Sequence, residues 1–136
     1  MLRTLHRLRQ EDPDSFAGIV ISPDNTIELL VTASTPATVR AIDDARSSAV
    51  RVRVVEGMKH SHADLESLRD EVLRRHADLK SRGVHITEFG VDERANKVRI
   101  GVKDLTPDSA ELLAREFGAD KIDIVQGREW APVART

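Results

Sequence analysis

His60 and His62 flank Ser61, and Asp64 and Glu66 follow within one helical turn. Imidazole and carboxylate together are ligands for a divalent cation, and His62 and Glu66, four apart, fall on one side of a helix. Two neighbouring ligands without a second cluster define no metal centre, and Asp64 has a plainer use in a helix cap. His60 and His62 are therefore weak metal candidates only, the favoured reading being a solvated helix start, and no cofactor is expected. His76 lies on an apolar stripe, as a buried pH switch or as a hydrogen-bonded residue at a core edge, the commoner case.

Other catalytic patterns fail on context. No serine occupies a Gly-x-Ser-x-Gly elbow. Asp43 and Asp44 lie on a polar helix side, without the contrasting environments that split two carboxylates into acid and base. No glycine-rich phosphate loop occurs, and with no cysteine, disulfides and thiolate sites are excluded. The expectation is a protein that is not an enzyme.

The bulk chemistry narrows the partners. The chain has 136 residues, a net charge of −2, 40% hydrophobic and 32% charged residues. That suits a globular chain of one domain or two small lobes. Nucleic-acid binders carry a basic excess or stacking aromatics; aromatics here are only 3%, so no nucleic acid is expected. No apolar run approaches a membrane span, so no membrane is expected. If Met1 is the native start the chain is cytoplasmic; if it is a fragment of a secreted precursor it is exported.

Five segments follow from periodicity: an N-terminal arm (1–15), a first unit (16–57), a connecting helix (58–83), a second unit (84–127) and a tail (128–136). Leu2, Leu5 and Leu8 share one side of the arm. Phe16–Ile21 and Ile27–Val31 read as strands around a Ser22-Pro23-Asp24-Asn25 turn. Thr35 caps a helix with Pro36 first, and Val39, Ile42 and Ala49 mark its inner side. Val50, Val52 and Val54 form a third strand. In the long helix Ser61 is the cap, Leu65, Leu68, Val72 and Leu79 form one stripe, and Gly83 is the stop. Between Ile86 and Phe89 the apolar face switches, which predicts a bulge. Val98, Ile100 and Val102 alternate with Lys97 and Arg99 after a reversal at Asn96. Thr106-Pro107 then opens a helix with Leu113 and Phe117 inward, and Ile122 and Ile124 form the last strand.

Asn25, Ile27, Leu29, Val31 and Thr35-Pro36 recur as Asn96, Val98, Ile100, Val102 and Thr106-Pro107 at one offset (98 − 27 = 71). Such self-similarity sets the fold class. We expect an α+β protein of two related ββαβ units joined by a long helix, with antiparallel sheets and helices on one face. From residue 50 to 126 the element order is βαββαβ, the ferredoxin-like order. Arg51, Arg53, Lys97, Arg99 and Lys121 all project away from the core series, predicting a basic sheet face that meets an acidic partner or water.

Two stretches resemble the pro-region of the alpha-lytic protease family of bacterial chymotrypsin-like serine proteases. One is Phe16-Ala17-Gly18 opening a strand, with Leu29-Leu30-Val31-Thr32 after the turn. The other is Val91-Asp92-x-Arg94-x-Asn96-x-Val98-x-Ile100-x-Val102, with Phe117-Gly118-Ala119-Asp120 before the last strand. The resemblance implies a two-lobed clamp that assists folding of a serine protease domain and then inhibits it. It implies that Val98 to Val102 or Ile122 to Val125, Ile124 included, offers a docking edge. Gly127-Arg128-Glu129-Trp130-Ala131 would occupy the cleft. The alternative is a stand-alone interaction module that dimerises through the same edge.

Overall fold

The structure, a computed structural model, describes residues 5–46 and 51–127. Two compact units divide the chain: Met1–Glu66 with Glu93–Asn96, and Ser67–Asp92 with Lys97–Thr136. The connecting helix is thus not a separate segment. The boundary falls inside it, and the turn at 93–96 belongs with the first unit.

In the first unit, α1 (Leu8–Glu11) precedes β1 (Phe16–Ile21), β2 (Ile27–Val31), α2 (Pro36–Arg46) and β3 (Val52–Val55). One apolar face of the sheet carries Phe16, Ile27, Leu29 and Val31, and it buries Leu5 and Leu8 of the arm with Ala41, Ile42 and Ala45 of α2. The arm is therefore part of this core, because its leucine spacing matches a helical side. Leu2, Ala49 and Val50 lie outside the described residues. Val39 is a correction: it is 54% exposed. Thr38, Ala41, Ile42 and Ala45 are the buried positions instead, the i, i+3, i+4, i+7 set one step away from it.

In the second unit, α3 (His62–Arg74) has begun before the boundary and is followed by α4 (His76–Ser81), β4 (His85–Asp92), β5 (Lys97–Lys103), α5 (Pro107–Phe117) and β6 (Ile122–Gln126). The expected long helix is broken at Arg75, whose φ of −98° and ψ of 4° interrupt the ladder. Leu68, Val72, Leu79, Val98, Ile100, Val102, Leu113, Phe117 and Ile122 are buried.

Both units are ββαβ, and their detail coincides. Each sheet has its first two strands antiparallel and its third parallel to the second, in the orders β1-β2-β3 and β4-β5-β6. The expectation of antiparallel sheets is thereby corrected: both sheets are mixed, since a helical crossover returns the chain in the direction it left. The ferredoxin-like order of elements is present along the chain, but β3 sits in one sheet and β4 to β6 in the other. Asn25 and Asn96 occupy the left-handed region, at φ 64° and 59°. Thr35 Oγ1 accepts from Thr38 N at 3.3 Å, and Thr106 Oγ1 from Ser109 N at 3.1 Å.

The bulge is also duplicated. One residue is inserted between Ile86 and Glu88, opposite Val102 and Gly101, where the switch of apolar face predicts it. A second lies between Phe16 and Gly18, opposite Val31 and Leu30. The three-residue step from Phe16 to Ile19 repeats that from Ile86 to Phe89 and carries the same signal.

Candidate functional site

A buried polar cluster lies in the first unit, around His62. Ser61 caps α3 by accepting from Asp64 N at 3.2 Å, which starts the helix and places His62 in its first turn. The ring is only 5% exposed and leans on Phe16, with ring centroids 5.8 Å apart. Its Nδ1 lies 2.8 Å from Glu66 Oε1 and its Nε2 3.3 Å from Glu93 Oε1. The approach to Glu66 is close but lacks the alignment of a hydrogen bond. Helical spacing brings Glu66; the turn brings Glu93, which sequence reading does not connect with His62.

Glu93 is held on both oxygens, since Oε2 accepts from the Ile19 N–H at 3.1 Å. That N–H belongs to β1, an outer strand of its sheet, so the carboxylate satisfies a main-chain donor on a sheet edge. Gly18 makes the approach feasible: at φ 147°, a Cβ built there would stand 2.9 Å from Glu93 Cδ. Burial pushes the Glu93 carboxyl up, but the hydrogen bonds from His62 and Ile19 and the charges of His62 and Arg9 outweigh it and hold it below the usual range.

Asn96 fastens the same turn. Its side chain accepts from His60 N at 2.7 Å and donates to His60 O at 2.8 Å. His60 and His62 are both buried, not solvated as the favoured reading has it. Among the described residues no group of three or more His, Asp or Glu is arranged to hold a metal ion. Both nitrogens of His62 already face carboxylates.

The expected docking strand at Val98 to Val102 is a correction. β5 pairs with β4 on one side and β6 on the other, and Val98, Ile100 and Val102 are 0% exposed. β5 is therefore the central strand of its sheet, paired on both sides. β6 is the outer strand; Ile122 on it is buried, and Ile124 is half-buried. Arg128, Glu129 and Trp130 lie outside the described residues.

The basic sheet face is partly neutralised. In the first unit the buried Glu28 carboxylate receives Arg53 Nη2 at 2.8 Å and Arg94 Nη1 at 3.4 Å. The Arg53 guanidinium holds that carboxyl below its usual range, against the opposing effect of burial. In the second, Arg99 stands in register with Asp123 and Lys97 with Asp92. In the second unit Glu116 of α5 also meets Arg75, at the break between α3 and α4, at 3.3 Å and Arg82, just past α4, at 3.2 Å. His76, half-buried, has Nε2 3.1 Å from the Ile86 carbonyl, the core-edge histidine of the plainer reading.

Among the described residues no helix is long and apolar enough to cross a membrane. No protein-family model matches this chain, and no curated protein matches it.

Proposed function

We propose that this chain is a non-catalytic protein-binding domain of protease pro-region type, which assists the folding of a trypsin-like serine protease domain or inhibits it. The reading is supported by the two stretches that resemble the alpha-lytic protease pro-region and by the paired ββαβ units in which they fall. The single observation that carries it is the position of β6. This strand ends its sheet, paired with β5 alone among the described residues, and it immediately precedes the segment Arg128-Glu129-Trp130. An outer strand presents a row of N–H and C=O groups to which a strand of another protein can add, main-chain hydrogen bonds giving affinity.

The test is a refolding assay. A denatured protease domain of the resembling family is diluted with and without the chain at micromolar concentration, and recovered activity is read. Inhibition of the folded enzyme is then titrated. The expected result is a gain in recovered activity or inhibition, lost in Ile124→Pro, because proline removes a donor and disfavours strand pairing. No effect in either assay overturns the reading. A concentration-dependent homodimer in sedimentation, also lost in Ile124→Pro, would transfer the edge to the dimerisation alternative.

A further inference from the structure

We infer that Glu93 is a guard on the outer edge of β1: its carboxylate fills the place that a strand of a second copy of this chain would take, and so closes that edge to strand addition. This inference is independent of the pro-region reading. It starts from which main-chain groups face outward. Among the described residues β1 pairs with β2 alone. Across that pair the Ser22 N–H donates to the Thr26 carbonyl at 2.9 Å. Direction alternates along an antiparallel strand, so Val20 turns its main chain toward β2 with Ser22, while Ile19 and Ile21 turn theirs outward. Open groups on an outer strand are a template for pairing with another chain. Ile21, 58% exposed, adds apolar surface beside them.

The fold sets a carboxylate on that edge. Glu93 Oε2 accepts from the Ile19 N–H at 3.1 Å, the bond that a carbonyl of an added strand would otherwise make. The whole side chain lies along Gly18: a Cβ built there would stand 2.9 to 3.0 Å from Glu93 Cβ, Cγ and Cδ. Only a residue without a side chain leaves this path open. Two contacts keep the guard in place. His62 Nε2 stands 3.3 Å from Glu93 Oε1, and Asn96 fastens the same turn to both main-chain groups of His60. An incoming strand would have to expel a held carboxylate. It would lose a charge-assisted hydrogen bond at Ile19 and return only a neutral one, which is weaker.

The experiment is sedimentation velocity on the intact chain from micromolar to millimolar concentration, with amide hydrogen exchange at both ends of the series. The expected result is that Glu93→Ala self-associates at least about tenfold more tightly than wild type, because no charge-assisted bond has to be broken first. In the dilute variant the Ile19 amide exchanges about tenfold faster than in wild type, and its protection returns on association, as a strand of the second copy covers it. Adding Ile21→Lys at this exposed position returns sedimentation to that of wild type, since a charge on an outer strand opposes pairing between copies. A Glu93→Ala chain that sediments as wild type does overturns the inference. So does association that leaves the Ile19 amide unprotected or that survives Ile21→Lys, because it then runs through another surface or through unfolding.

Discussion

One side-chain amide closes both main-chain groups of a buried residue: Asn96 accepts from the His60 N–H and donates to the His60 carbonyl. The same residue turns the chain at φ 59°. Asn96→Ala loses two buried hydrogen bonds and places an ordinary L residue in the left-handed region. The expected loss in urea unfolding is roughly 3 kcal/mol, about 1 for each bond and about 1 for the backbone. Asn96→Gly keeps the turn and loses only the bonds, so it should fall between wild type and alanine. Equal stability of wild type and alanine would deny the clamp its role.

The Glu93 carboxyl predicts an acid limb. Its folded-state value lies below the ordinary 4.5. A group depressed on folding contributes stability that is full above the unfolded value and is lost as pH falls through the folded one. Asp24, brought down to about 2 by the Ser22 hydroxyl and then the Thr26 N–H, acts in the same direction at lower pH. Urea midpoints measured from about pH 6 to about pH 2 should fall in wild type and fall less in Glu93→Gln. Parallel curves would show that this carboxylate contributes nothing to the limb.

Gly127 has no room for a methyl group. A Cβ there would stand 2.1 Å from Thr87 Oγ1 and 2.9 Å from the main chain of Gly101 and Val102. Gly127→Ala is expected to cost about 1–3 kcal/mol by overpacking. Adding Thr87→Ala should restore only part of that, because the main-chain contacts remain. Thermal unfolding of the single and double variants checks both statements.

The repeated cap gives a paired comparison. Thr35→Ala and Thr106→Ala each remove the acceptor for the N–H three residues on. Each should cost about 1 kcal/mol, and the serine variants should recover most of it. A loss at one position only would break the equivalence of the two caps.

The duplicated detail was legible because its causes are local. Asn tolerates a positive φ, Thr before Pro starts a helix, and a three-residue step between apolar positions marks a bulge, each within a few residues. Val39 was misassigned because Val39 and Ile42 fit a three-residue step as well as Thr38, Ala41 and Ala45 do, and a short helix leaves its rotation open by one position. Residues 98 to 102 read correctly as a strand with one apolar side, yet alternation is the same for an outer and a central strand. Which neighbours a strand takes depends on where the crossover helix delivers the next one.

By itself the sequence determined the element types, the two reversals at Asn25 and Asn96, the caps and the two-unit plan, all set by backbone preference and side-chain period. Tertiary structure alone decided that the third strand of each sheet runs parallel, that β5 is central, and that Glu93 and Asn96 meet His62, Ile19 and His60. Those partners lie 31 to 74 positions away. Contacts of that span depend on the path of the folded chain, which no local preference encodes.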